Sequence, residues 1–296
     1  MSSILVTGSE GFIGRRTVKK LREAGHDVCT LDLAPGSGKH LQADLRSREL
    51  GEFFKAHNPE AVVHLAAQIV VTDSVANPEH DLEVNGLGTL NLVRTSIANG
   101  CKNFVNINSG GAIYDASQKI PFNENTREEP QSPYGLSKLI AEGYVRIYSN
   151  EGKTNWTSLA LSNCFGPVGE HGKGVIYNFW QAIKENRSPN IYGEDVTRDF
   201  VYVDDVVHAI ELALLTPANS RINIGSGREV TLKQVFEQVA KEMQSNVKPN
   251  ILSARFGEIS ASCLDIRLAK EKLKWEPKFS FEEGIKSSLE KELRVQ

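Results

Sequence analysis

The chain has 296 residues, of which 40% are hydrophobic and 24% charged, with a formal net charge of -3. This describes a soluble globular protein with chain enough for one large core or two unequal domains, and it gives no electrostatic ground for a nucleic-acid partner. No apolar run approaches the roughly 20 residues that span a bilayer, so no membrane role is expected. "MSSILVTG" lacks the basic start and apolar block of a signal peptide. Cys29, Cys101, Cys164 and Cys263 lie far apart, without metal-ligand or redox spacing. A reducing, cytoplasmic setting is expected, with no metal.

In chain order, "ILVTG" (4–8) is a short branched apolar run, and "GFIGRRTVKKLREAG" (11–25) has helical periodicity. "HDVCTLDL" (26–33) is a second strand ending in an acid. The alternation continues through helix-like "RSRELGEFFKAHN", strand-like "AVVHLAA", helical "HDLEVNGLGTLNLVRTSIANG" and strand-like "KNFVNI". Next comes "SPYGLSKLIAEGYVRIYSNEG" (132–152), read as an amphipathic helix from Leu136, Leu139, Ile140, Tyr144, Val145, Ile147 and Tyr148, and then strand-like "TSLALSN". Strands alternating with helices imply an α/β fold, a doubly wound, Rossmann-type parallel sheet. After "FGP" (165–167) the alternation stops. The expected division is a dinucleotide-binding domain over 1–165, completed by part of 199–225, and a smaller mixed α/β substrate domain, mainly 166–296 and interwoven with the first.

"VTGSEGFIG" places Gly8, Gly11 and Gly14 between the first strand and the first helix. Gly8 permits a sharp turn, Gly11 lets the backbone approach a pyrophosphate, and Gly14 lets helix and sheet pack closely. Phe12 and Ile13 open the helix, whose N-terminus offers unpaired N–H groups and its positive dipole end to phosphate. Asp32 ends the second strand, where a carboxylate accepts from adenosine ribose hydroxyls and repels a ribose phosphate. The expected cofactor is NAD rather than NADP.

Over nearly its whole length the sequence resembles the extended short-chain dehydrogenase/reductases, and within them the UDP-glucose 4-epimerase-like nucleotide-sugar enzymes. "VTGSEGFIG" resembles the family's phosphate loop, and "ADL" (43–45) its adenine-contacting Asp-Leu, here Asp44 and Leu45. "HLAAQ" (64–68) is similar to the stretch lining the pyrophosphate side of the cofactor, which implies Leu65, Ala66, Ala67 and Gln68. "SVANPEHDLEVNGLGTLNL" (74–92) resembles the helix whose Asn, here Asn85, supports the nicotinamide side. "SPYGLSK" matches the catalytic Tyr-x-x-x-Lys at Tyr134 and Lys138. Four residues apart on a helix, the two project from one face. A lysine ammonium and the nicotinamide charge both favour tyrosinate, so a lowered phenol pKa is expected. Such a tyrosine can take a proton from a sugar hydroxyl while Lys138 holds the nicotinamide ribose.

In the family, the strand before this helix ends in a hydroxyl-rich turn, one hydroxyl of which relays the sugar proton. Here that turn is "NSGGAIYD" (108–115). Counted back from Tyr114, the position that is often the hydroxyl falls on Gly110, so Ser109, one earlier, is the candidate. Gly111 and Ala112 stand where the related 4,6-dehydratases carry an Asp-Glu pair, which disfavours that elimination.

"LALSNCFGP" (159–167) resembles the family's "LRxxNVYGP", placing Asn163 on the diphosphate, with Ala160 where the family has arginine. "GVIYNF" resembles the segment closing on the uridine, which implies Val175. The likeness of "TRDFVYVDD" puts Arg198 on phosphate, and that of "RFGE" puts Arg255 on the diphosphate and Glu258 on the nucleotide ribose. Guanidinium forks suit phosphate oxygens. The acids Asp204 and Asp205 are read as capping the following helix, and no histidine is given a role.

The expected function is an NAD-dependent epimerase inverting carbon 4 of a UDP-sugar through a 4-keto intermediate. Alternatives are another nucleotide-sugar dehydratase or ketoreductase of the family, or a non-catalytic dinucleotide-binding regulator. The resemblance also implies a homodimer through two long helices, about 75–100 and 133–150.

Overall fold

A computed structural model of the chain describes residues 2–167, 174–253 and 259–294. Its centre is a seven-stranded, wholly parallel sheet. The strands are β1 (Ser3–Thr7), β2 (Asp27–Asp32), β3 (His40–Gln42), β4 (Ala61–His64), β5 (Asn103–Ser109), β6 (Asn155–Leu161) and β7 (Ser220–Ile224). In space they run β7-β6-β5-β4-β1-β2-β3. The order reverses between β1 and β4, and a doubly wound sheet binds ligands at the carboxyl ends of the strands beside such a reversal.

Side chains alternate across the strands, and each set meets its own helices. Ile4 and Val6 face a core that includes Val18 and Leu21 of helix α1 (Phe12–Glu23) and Ile210 of the helix Val203–Leu215. Leu5 faces the other core, with Phe53, Phe54, Leu92 and Val145. A third, aromatic-rich core joins Phe165, Phe179, Phe200, Tyr202, Phe236 and Ile285 among the shorter elements after residue 162.

Two expectations need correction. The long helix Pro133–Gly152 does not follow the apolar pattern read for it: Leu136 and Ile147 are exposed, whereas Ser137, Lys138, Glu142 and Ser149 are buried. Its inner face mixes Ala141 and Val145 with these polar groups, which meet the buried polar residue Asn108 of β5. Asp205 does not cap the helix Val203–Leu215, whose start has no side-chain cap; its carboxylate accepts from the backbone N–H groups of Lys278 and Phe279 at 2.9 and 3.2 Å. Both acids still lie in that helix's first turn, where negative charge is favourable.

Candidate active site

The glycine loop leaves β1 at Gly8, whose φ of 66° lies in the left-handed region. A Cβ there would fall 2.6 Å from Ala66 N, and one on Gly14 only 2.0 Å from Gly8 O. Neither neighbour can yield, because both are backbone, so only glycine brings β1, α1 and the end of β4 this close. No side chain caps α1, and its first turn holds no acid. The N–H groups of Phe12 and Ile13 therefore open onto the loop without intrahelical partners. This uncapped, glycine-lined cradle fits a dinucleotide pyrophosphate.

Asp32 ties the loop to β2: Oδ2 accepts from Glu10 N at 2.8 Å and Oδ1 from Ala34 N at 3.0 Å. Its remaining lone pairs suit ribose hydroxyls. Asp44 is held by Arg46, whose Nε donates to Oδ1 at 2.8 Å, and this hydrogen bond keeps the carboxyl below its ordinary pKa. Leu45 is buried against Gly88, where an added Cβ would lie 3.1 Å away.

Beyond β4, Leu65 N donates to Thr7 O and Ala66 N to Thr7 Oγ1. Ala67 follows in the same half-buried stretch. Gln68 and Asn85 clasp each other: Gln68 N donates to Asn85 Oδ1 at 2.9 Å, and Asn85 Nδ2 donates to Gln68 O at 3.0 Å. Asn85 sits in a π-helical turn, Glu83–Leu87, in which it and Gly86 are buried. Its Nδ2 also lies within hydrogen-bonding reach of Asp81 Oδ1 and, at 3.0 Å, of Ser137 Oγ. Asn85 thus joins the β4 loop to the helix bearing Tyr134 and Lys138.

Ser109, Tyr134 and Lys138 come together at the carboxyl end of β5. Ser109 lies close enough to the Tyr134 phenol to lower its pKa, and Tyr134 N is anchored to Ser74 Oγ at 3.1 Å. The phenol departs from expectation. Burial holds its pKa above the ordinary value, the nearby Ser109 opposes that rise, and Asp81 adds to it. The tyrosinate-favouring charge of the nicotinamide is thus what burial works against. Lys138 is 5% exposed, and burial brings its pKa down to about 8 against the opposing charges of Glu142 and Asp81.

The two glycines after Ser109 have separate reasons. Gly110 begins the short helix Gly110–Ile113, and a Cβ on it would meet Leu264 Cδ1 at 2.7 Å. Gly111 has only Ser262 Oγ nearby, at 3.7 Å. The next residue, Ala112, presents its carbonyl 2.3 Å from where a Gly135 Cβ would be, so the turn docks on the helix one residue past Tyr134.

On the substrate side, Asn163 N and Nδ2 both donate to Asp199 O at 3.0 Å. Arg198 precedes Asp199, on a two-residue strand paired with Val230–Thr231, and its Nη1 donates to Thr197 O at 2.8 Å. Val175 opens the helix Val175–Lys184, half-buried against the aromatic core. Ala160 is fully buried with Ile113, Tyr114, Phe122 and Leu264, a niche with no place for a guanidinium. Arg255 and Glu258 lie outside the described residues.

Sequence reasoning passed over several groups. Asp199 is fully buried and accepts from Ser226 N, Ser226 Oγ, Gly227 N and Leu264 N. His64 bridges Thr7 and Thr89 at 2.8 Å each, and burial, with the Lys138 charge, drives its pKa down to about 3. Glu142 was legible in principle, because it stands one helical turn after Lys138 and two after Tyr134.

The sequence profile of the NAD dependent epimerase/dehydratase family matches residues 4–225. The crystal structure of a UDP-glucose 4-epimerase from Thermotoga maritima, solved with UDP-glucose, is 37% identical, with a TM-score of 0.94 over 99% of each chain. That of a Thermus thermophilus UDP-glucose 4-epimerase complexed with NAD is 33% identical, with a TM-score of 0.88 over 99% of each chain. A UDP-glucose 4-epimerase of Mycolicibacterium smegmatis is 33% identical over 97% of both chains.

Proposed function

Because the chain belongs to the NAD dependent epimerase/dehydratase family, we propose that it is an NAD-dependent epimerase inverting carbon 4 of a UDP-sugar of the UDP-glucose/UDP-galactose type. One observation carries the reading: Tyr134 and Lys138 stand one turn apart on the helix Pro133–Gly152, beside Ser109 at the carboxyl end of β5, the sheet end that also bears the glycine loop.

Gly8, Gly11, Gly14 and the N–H groups of Phe12 and Ile13 hold the pyrophosphate, and Asp32 the adenosine ribose. Asp44, Leu45 and the 65–68 stretch line the remainder, and Asn85 steadies the nicotinamide side. Bound there, NAD supplies a reversible hydride acceptor for the sugar carbon. Tyr134 takes the C4 hydroxyl proton as that carbon becomes a ketone, and returns it after the sugar has turned over. Ser109 relays the proton. Lys138 holds the nicotinamide ribose and places positive charge beside the phenol. Asn163, Val175, Arg198, Arg255 and Glu258 are proposed for the nucleotide and its diphosphate. Gly111 and Ala112 leave the turn without an acid to drive a 4,6-elimination.

The proposed division is an NAD-binding domain over 1–165, joined by β7, and a substrate domain over the rest. The proposed homodimer is supported by Leu82, Leu87, Leu136 and Ile147, exposed on neighbouring helices. Cytoplasmic placement is supported by four unbridged cysteines; no helix among the described residues is long and apolar enough to cross a membrane.

Proton NMR of the purified protein with UDP-glucose, UDP-galactose and their N-acetyl and uronic counterparts, without reductant, tests the reading. Appearance of a carbon-4 epimer is the expected result. Turnover that requires stoichiometric NADH would overturn it in favour of a ketoreductase.

A further inference from the structure

Behind the catalytic residues lies a buried polar cluster that the proposed chemistry does not use. The Glu142 carboxylate, on a side chain 10% exposed, receives hydrogen bonds from three elements. Arg221 of β7 donates from Nε to Oε1 at 2.9 Å and from Nη2 to Oε1 at 2.5 Å. Ser158 Oγ of β6 donates to Oε2 at 2.6 Å, and Asn108 Nδ2 of β5 donates to the same oxygen at 2.6 Å. Asn108 is itself directed: its Oδ1 accepts from Ser109 N at 2.8 Å. One carboxylate is therefore linked through a single amide to the backbone of the catalytic turn, and it stands one helical turn from Lys138.

Arg221 fixes that carboxylate. Its side chain is 9% exposed, bonds Glu128 Oε1 at 2.6 Å on its outer side, and lies 5.7 Å from the centre of the Tyr114 ring. Glu142 thus cannot turn toward Lys138 as a close ion-pair partner, yet its charge remains near. Lys138 is faced by Glu142 on its own helix, by Asp81 from the helix Pro78–Leu82 and by His64 from β4. Asp81 accepts from Gln68 in the loop after β4 and from Asn85, and His64 is held between Thr7 of β1 and Thr89 of the helix Gly88–Ala98. Among the described residues that face Lys138, Glu142 alone is hydrogen-bonded to β5, β6 and β7 together.

We propose that Glu142, clamped by Arg221, is a positioning residue for the epimerase reaction: it holds Ser109 through Asn108 and sustains the positive charge of Lys138. The inference rests on the epimerase reading for the reaction it serves, while the geometry is independent of that reading. A buried ion pair is a poor source of stability, because desolvation offsets the attraction; here it places one charge behind two catalytic groups. The strand pairing shows how the clamp is assembled. β7 pairs with β6 so that Arg221 lies beside Ser158 and Asn223 beside Ala160, so the guanidinium reaches Glu142 from the neighbouring strand while position 160 stays small.

The test uses NAD-loaded wild type, E142Q, E142D and N108S, with two readouts. In the first, the 13Cε shift of Lys138 is titrated against pH. The midpoint, which burial holds below the ordinary lysine value while Glu142 and Asp81 oppose that fall, is expected to drop by about one further unit in E142Q and to recover in E142D, which keeps the charge. In the second, epimerisation is followed by NMR. The alkaline limb of kcat in E142Q moves down with that midpoint. N108S, which leaves the Glu142–Arg221 pair intact, loses about tenfold in kcat with KM and the lysine midpoint unchanged. A purely structural Glu142 would lower the Tm of E142Q without moving the midpoint, and that result overturns the charge role. Wild-type kcat in N108S overturns the link to Ser109, and decides alone if E142Q does not fold. If the wild type epimerises no nucleotide sugar, the epimerase reading falls, while the lysine titration still judges Glu142.

Discussion

Substituting Gly110 by alanine tests whether packing, rather than chemistry, forbids a side chain at the position where relatives often carry their hydroxyl. The new Cβ would sit 2.7 Å from Leu264 Cδ1, 2.9 Å from Leu264 Cδ2 and 3.3 Å from Ala160 O. Leu264 is fully buried, so its methyl groups have nowhere open to retreat. Overpacking of this kind costs about 1–3 kcal/mol, which lowers Tm by roughly 2–12 °C at about 2–4 °C per kcal/mol for larger domains. The clash names its partner, which makes a mutant cycle decisive. Leu264→Ala alone costs about 2–5 kcal/mol, but it removes the methyl groups that Gly110→Ala strikes. The double variant should therefore lie above the sum of the singles by at least about 1 kcal/mol, the coupling expected of touching groups. Guanidinium unfolding of the NAD-loaded protein supplies the free energies. A strictly additive cycle, or a G110A melt superimposed on the wild type, would refute the packing account.

Ser109→Ala is expected to reduce kcat by about 10²–10⁴ while the protein retains bound NAD, measured by cofactor release on denaturation; S109A/G110S should not recover turnover, because the second hydroxyl enters through the same clash. Lys138→Met should abolish epimerisation yet stabilise the NAD-free protein at pH 7 by up to about 3 kcal/mol, since a lysine brought from 10.5 to about 8 is more costly charged in the fold than in the unfolded chain. The sign follows from linkage: between pH 8 and 10.5 the unfolded chain keeps a proton that native Lys138 has lost, so wild-type stability gains a rising contribution there that K138M lacks. His64 works at the acid end, where the unfolded chain binds a proton below about 6.5 that the native ring refuses until about 3; His64→Gln should flatten the decline in stability across that window by one proton. Asp199→Ala should cost at least about 3 kcal/mol, because it strands Ser226 N, Ser226 Oγ, Gly227 N and Leu264 N.

The α/β architecture was legible because each layer left a local signal: branched runs for strands, glycines at 8, 11 and 14 for the loop, an acid closing β2. Family membership followed from the same stretches. The relations that sequence spacing does not carry were harder to read. Leu136 and Ile147 belong to the apolar pattern of their helix although they face outward, and Glu142, which the pattern does not single out, faces inward with the catalytic Lys138. Periodicity reports which residues share a face, not which face is buried, and buried polar groups on the facing strand alter the usual answer. The approach of Ser109 to Tyr134 joins residues 25 positions apart, and the clamp from Arg221 to Glu142 spans 79. Neither leaves a local trace. The glycine at 110 was read as a missing hydroxyl, and only the position of Leu264 explains it.

The last strand of the central sheet has a consequence in time. β6 ends at Leu161, whereas β7, which covers its outer edge, begins at Ser220. At 5–20 residues per second, a growing chain displays six strands with a bare parallel edge for roughly 3–12 s before its seventh emerges. During that interval Leu159 and Leu161 lack Ile222 and Ile224 beside them, and the ladder groups of β6 that point away from β5 have no partner strand. The nascent protein is then an unfinished sheet open to pairing with another chain, and the rate at which residues 162–219 are made and collapse governs how many molecules escape aggregation.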